Sequence, residues 1–334
     1  MLHSARIGYH CSHEQFPPDE LLRLVSRAES AGFTSAMCSD HFHPWSPEQG
    51  QAGFAWSFLG AALQSTSLAF GVVTVPGGWR YSPAIIAQAA ATLDCMFPGR
   101  FWIAPGSGEA LNERITGLPW PIKAERNARL REACDIIRAL WAGETVTHRG
   151  LVTVEEATLY TRPRGAPPLI VGAALSEATA GWMGEWADGL ITVAAEREKM
   201  TAIIDAFRRG GGEGKPIFLQ AQHAWAPDDE TAAREAWEQW KTVSFDSGVL
   251  AELRTPQHFR DAARYTRPED LQGQIRISAD PARHAAWIRE YIDLGFEEIN
   301  VHNVTTHQDG FIDLFGEHVL PELGDAVRPA GTMR

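Results

Sequence analysis

Short apolar runs alternate along the chain with longer stretches in which apolar positions recur every three or four residues. "ARIGYHC" reads as a strand. "PDELLRLVSRAESAG" reads as a helix, with Pro18 near its start and Gly32 at its end. The pair repeats as "FTSAMCSD" with "GFAWSFLGAALQST", then as "SLAFGVVTVP" with "SPAIIAQAAATLDCMF", opened by Ser82 and Pro83. "GRFWIAPGSG" precedes the strongly periodic "AERNARLREACDIIRALWAG", and "THRGLVTVEEATLY" predicts a β-hairpin excursion. "PPLIVGAA", "GLITVAA", "PIFLQAQHAW" and "EEINVHNV" predict further strands, each followed by a helical pattern. Strand–helix alternation implies a parallel sheet. About eight such units with no break in composition fit one α/β domain over residues 1–334, a (β/α)8 TIM barrel. Residues 243–274, rich in charge and breakers, read as an insertion, and "IRIS" fits either a barrel strand or part of that insertion. A doubly wound fold would want a glycine-rich turn after the first strand, where "GYHCSHEQ" offers one glycine, before the turn.

Composition narrows the partners. The net charge of −12 argues against nucleic acid or an anionic membrane as the main partner, because either needs basic patches. "MLHSARIGYH" has no apolar core of a secretory signal, and no apolar stretch approaches the ~20 residues of a membrane span. Cys11, Cys38, Cys95 and Cys134 are scattered without CxxC spacing, as expected of reduced thiols in a cytoplasmic protein.

In such a barrel the C-terminal ends of the strands face the active site. "CSDHFHPW" brings Asp40, His41, His43 and Trp45 to one strand end, and "HCSHE" brings Glu14. Taken alone, an Asp–His pair most simply caps backbone groups in a polar turn. A His-x-His at a strand end also suits a zinc hydrolase, with His223 and His302 as further ligands, but the pair is on the second strand and no lysine ends a strand. A third reading is proton transfer by an imidazole held beside a carboxylate. "PGSGEALNE" supplies Gly106, Gly108, Glu109 and Asn112, either as a plain strand-to-helix turn or as a close approach for a planar ring. "VGAALSEAT" ends with Ser176 at a helix start, an ordinary N-cap or an anion site. In "FGVVTVPGGWRYSP" a β-branched run stops at Pro76, Gly77 and Gly78, which suggests a bulge against a flat ligand.

Together "SHEQFPP", "SDHFHPW", "RYSPAIIAQAAATL", "FPGRF", "GSGEALNE", "RLREACDIIRALWAG" and "ADGLIT" resemble the luciferase-like flavin and deazaflavin oxidoreductases. The nearest branch is that of the F420-dependent glucose-6-phosphate dehydrogenases. The resemblance implies the same barrel, commonly dimeric, acting on a small-molecule substrate, with F420 as first cofactor and FMN as second. FMN would go with a luciferase-like monooxygenase. It implies that His41 takes the substrate hydroxyl proton, that Glu109 protonates the ring, and that Trp45 and Glu14 line the substrate side. It assigns Asp40, Gly108, Asn112 and the turn Gly172, Ala173, Ala174, Leu175 and Ser176 to the cofactor. Val73 and Thr74 fall where the family has a non-proline cis peptide behind the ring. The three basic residues that hold a sugar phosphate fall on Glu196, Asp261 and Gln274, with Arg197 adjacent, so a phosphosugar is not expected. Trp45, Trp56 and Trp79 are expected to offer flat apolar surface instead.

Overall fold

In the computed structural model, which describes residues 4–331, eight parallel strands close into a barrel with helices outside. These are β1 (Arg6–Cys11), β2 (Ser35–Ser39), β3 (Ala69–Thr74), β4 (Phe101–Pro105), β7 (Leu169–Ala173), β8 (Gly189–Val193), β9 (Ile217–Ala224) and β11 (Glu298–Asn303). Their order around the barrel is β9, β11, β1, β2, β3, β4, β7, β8, and β8 pairs back to β9. The predicted hairpin forms as antiparallel β5 (Val146–Arg149) and β6 (Thr153–Ala157). "IRIS" supplies no stave of the barrel. Its first residues form β10 (Arg276–Ile277), a short strand on the far end of β9.

Local chemistry sets the helix ends. Helix α1 (Pro18–Ala31) stops at Gly32, whose φ of 104° a side chain would strain. Helix α2 (Ala55–Ser65) follows β2, and α3 (Pro83–Met96) starts where Ser82 accepts a hydrogen bond from Ala84 N–H. A short α4 (Ala110–Glu113) precedes α5 (Lys123–Ala142), and α6 (Glu177–Gly184) follows β7 with Ser176 as its side-chain cap. Among the described residues no helix is long and apolar enough to cross a membrane.

Inside the barrel Met37, Trp102, Ala104, Val171, Ile191 and Phe218 pack as one apolar plug. Gly71 of β3 leaves the space that the Trp102 indole fills: a Cβ there would lie 1.9 Å from the ring. Toward the C-terminal ends, the alternating positions of β1 and β9 turn polar, with His10, Gln220 and Gln222.

The expected cis or distorted bond at Val73–Thr74 is not present. No cis peptide occurs among the described residues, and β3 is regular there. Val73 is registered against both Ser39 and Ala104, Thr74 against Pro105, and Asp40 N–H donates to Val73 O at 3.0 Å. With both edges of the strand engaged, ladder bonding holds the backbone extended.

The insertion is a set of short helical pieces, including Ser247–Leu250 and Pro256–Ala262, that roof the barrel mouth. It is fastened by Ala110 N–H to Ala251 O at 2.9 Å, by Arg126 to Glu252 at 2.8 Å, by Arg260 to Glu48 at 2.8 Å, and by Trp45 edge-on to Phe259.

The plug gives a stability prediction. Gly71→Ala drives a methyl group into the fully buried Trp102 ring, and overpacking of this kind costs ~1–3 kcal/mol. Denaturant melts should show that loss, and Gly60→Ala, with open space around its Cβ position, should not.

Candidate active site

The loop after β2 is organised by one buried carboxylate. Asp40 is 2% exposed and accepts from four side chains. Trp56 Nε1–H (3.2 Å) and Thr74 Oγ1–H (2.8 Å) reach Oδ2; Tyr81 O–H (3.1 Å) and Arg80 Nη1–H (3.3 Å) reach Oδ1. Arg80 also donates to Asp40 O at 2.6 Å and pairs through Nε with Glu113 Oε1 at 2.9 Å. Burial alone would weaken the guanidinium, but Glu113 and Asp40 outweigh it and raise its pKa. One cation therefore joins the ends of β2 and α4 and the loop before α3.

Next to this hub the loop turns His41 toward Glu14. Glu14 is 1% exposed, and its Oε1 lies 2.7 Å from His41 Nδ1, an ion-pair contact in which neither atom has a hydrogen bond of good geometry. Ser12 O–H donates to the other oxygen at 3.1 Å. Burial works against both charges. The mutual attraction overcomes it, holding Glu14 well below the usual carboxylate range and lifting His41 above the ordinary imidazole value.

Glu109 behaves in the opposite way. Its Oε2 is enclosed without a hydrogen-bond partner. Burial first, opposed by His41 and assisted by Glu113 and Glu14, pushes its pKa up to about 7. One cavity of about 600 Å³ therefore holds an ionised carboxylate, a basic imidazole and a carboxyl poised to carry a proton. Groups driven apart in this way are what acid–base chemistry requires.

Of the residues read from sequence, Glu14, Asp40, His41, Trp45, Val73, Gly108, Glu109, Asn112, Ala173, Ala174, Leu175 and Ser176 line this cavity. Trp45 sets its edge against His41, with ring centroids 5.2 Å apart. Asn112 grips the protein itself: its Oδ1 accepts from Phe42 N–H and His43 N–H. Thr74 turns away toward Asp40, and Gly172 lies against Met183, whose side chain a Cβ would meet at 2.8 Å. Trp56 and Trp79 offer the cavity no surface; Trp56 packs on Phe101, and Trp79 on Trp120. Of the three positions matched to the phosphate clamp, Gln274 lines the cavity, Glu196 leans on Gly273, and Asp261 is exposed beside Gln257. Arg197 and Arg276 each stand 3.7 Å from Glu290.

The His-x-His reading does not assemble. His43 Nδ1 contacts Leu111 O at 2.9 Å while His41 faces Glu14, and among the described residues no three His, Cys, Asp or Glu are grouped to hold a metal ion. Sequence reasoning missed Glu113, His10 and Gln222. The available signal for the last two was polar side chains at alternating positions inside "RIGYHC" and "FLQAQHA", runs otherwise apolar enough to be buried.

A family model described as luciferase-like monooxygenase matches residues 1–298. The chain belongs to that family. Curated relatives of the chain include an F420-dependent glucose-6-phosphate dehydrogenase of Microbacterium testaceum, 35% identical with 95% of this chain and 97% of that one covered. A protein of the same name from Beutenbergia cavernae is 36% identical, with the same coverage. Among solved structures, an F420-dependent secondary alcohol dehydrogenase in complex with an F420-acetone adduct superposes with a TM-score of 0.87. It is 30% identical, with 97% and 99% of the two chains covered. The F420-dependent tetrahydromethanopterin reductase of Methanopyrus kandleri, 20% identical, shares the fold at a TM-score of 0.76, over 96% and 99% of the two chains. This luciferase-like chain is an oxidoreductase, and its barrel is of the luciferase-like type.

The Asp40 hub makes a prediction of its own. Arg80→Met strands two buried carboxylates, and breaking a buried pair costs ~3–5 kcal/mol. Thr74→Val removes one of four donors to Asp40 and should cost only about 1–2 kcal/mol. Comparing the two variants by urea unfolding checks the ranking.

Proposed function

We propose that the chain is an F420-dependent oxidoreductase that exchanges hydride with an uncharged alcohol or ketone. The observation that carries this reading is the pairing, in one cavity, of Glu14-bound His41 with the proton-holding Glu109. Relatives named for F420 chemistry over nearly the whole chain support it.

The cavity suits a flat ring with an anionic tail. Val73, Val75 and Gly106–Gly108 form one wall, where Gly108 at φ 86° sits so close to Val75 that a Cβ would meet it at 3.1 Å. Ala173–Ser176, Thr179 and Lys199 line the part suited to a phosphate-bearing tail. When bound, F420 would supply a two-electron hydride carrier. The chain's own groups manage the protons. With Nδ1 turned to Glu14, His41 has Nε2 for the hydroxyl proton, and the Glu14 carboxylate stabilises the imidazolium that results. Glu109 keeps its proton near neutrality and delivers it from the opposite role. Asp40, its acceptor sites filled by protein donors, positions the loop that carries His41. Trp45 and the roof exclude water.

A phosphorylated sugar fits this site poorly. Gln274, the one clamp position that lines the cavity, brings no charge, and Arg197 and Arg276 lean on Glu290.

F420 should quench on binding at concentrations about tenfold or more below those FMN needs. Equal or preferential FMN binding in fluorescence titrations would count against the cofactor assignment. For alcohol oxidation, kcat/KM should be bell-shaped in pH. It is low at acid pH, where His41, raised above the ordinary imidazole value, keeps its proton, and low at alkaline pH, where Glu109, pushed up to about 7, has lost its own, so the two limbs overlap. Glu109→Gln should remove the alkaline limb, and His41→Asn should lower kcat about 10²–10⁴-fold. Glucose-6-phosphate should react about tenfold or more less efficiently than 2-butanol, because Gln274 offers no charge where a clamp would pair the dianion, and a hydrogen bond to a charged group is worth about 1.5–3 kcal/mol.

A further inference from the structure

One part of the cavity is not used by the proton chemistry. His10, on β1, is 2% exposed, and Gln222, on β9, is 6% exposed; both line the cavity. Gln222 is registered against His302 of β11, and Tyr9 against Val301, so the next residue, His10, is level with His302. The His10 and His302 rings lie 4.3 Å apart, and His302 is braced by the Trp240 edge at 4.7 Å and by Gln15 Oε1, 3.3 Å from its Nε2. Three adjacent strands thus present a layer of uncharged hydrogen-bonding groups.

One atom of each of these side chains lacks a partner inside the protein. His10 Nδ1 and Gln222 Oε1 are buried without a hydrogen bond, and so is His302 Nδ1 behind them. Buried polar atoms are almost always satisfied, so atoms bordering a cavity find their partner within it. Burial, against the opposing pull of Glu14, brings the His10 pKa down to about 4, so its ring is neutral at working pH. The charge that acts most strongly on His10 is the Glu14 carboxylate, which disfavours an anion here.

Resting on the F420 reading above, we propose that His10 and Gln222 form a specificity subsite for a second, uncharged hydroxyl of the substrate. A hydroxyl both donates and accepts, which suits an amide oxygen and either tautomer of a neutral imidazole. The preferred substrate class is then a polyhydroxylated neutral alcohol rather than a monofunctional alcohol or a hydroxy acid.

The test compares 2-butanol, 1,3-butanediol, 3-hydroxybutyrate and 4-amino-2-butanol on wild type, His10→Phe and Gln222→Leu. Thermal shift on the full chain gives half-saturating concentrations with and without F420, and fluorescence quenching gives F420 affinity. We expect wild type to hold the diol about tenfold more tightly than 2-butanol and to hold the hydroxy acid most weakly. Each variant should erase the diol's advantage and change F420 affinity less than about twofold. An unchanged advantage in the variants overturns the inference, as does tightest binding of the amine. A loss of F420 affinity in both variants also overturns it, by assigning the groups to the cofactor. Failure of F420 to bind wild type would defeat the functional proposal instead, and the cofactor-free series would still decide the subsite.

Discussion

The site depends on one buried carboxylate having enough donors. A carboxylate removed from water without partners is far too costly to persist, and Asp40 is kept by drawing Trp56, Thr74, Arg80 and Tyr81 to itself. Those donors come from α2, β3 and the loop before α3, and Arg80 extends the arrangement to Glu113 of α4. His41 is the next residue along from Asp40, so its place in the cavity follows from that network. The regular geometry of β3 belongs to the same arrangement, because Asp40 N–H bonds to Val73 O.

Two glutamates within one cavity then diverge for reasons of neighbourhood alone. Glu14 and Glu109 are the same side chain, both taken out of water. Glu14 has a cation against it and stays ionised; Glu109 has none in contact and holds its proton. His41 links the two, stabilising the charge on the first and partly on the second.

Much of this was readable from the residues. Period and punctuation give the barrel, because buried parallel strands are mostly apolar and "PDELL…AG" carries its own start and stop. The strand-end rule collects Glu14, His41, Trp45 and Glu109 into one place, which they share. What failed depends on three-dimensional detail that spacing does not encode. Gly172 reads as a cofactor turn, yet its missing side chain makes room for Met183. Trp79 sits in a suggestive run but turns to Trp120. Asp261 falls on the outer side of a roof helix, because the path of an irregular insertion is set by contacts distant in sequence. His10 and Gln222 were hidden inside strands whose apolar neighbours dominate the pattern.

The roof divides labour along the chain. Glu14, His41 and Glu109 come from the first third of the sequence, on strand ends locked by ladders and a buried ion network. The cover over them comes from residues 243–274, joined to the barrel by a few contacts, of which the Glu252 side chain is 59% exposed. Mutational drift in that cover can reshape which molecules enter while the proton-handling strand ends keep their places. A lineage built on this plan can change its diet without relearning its chemistry.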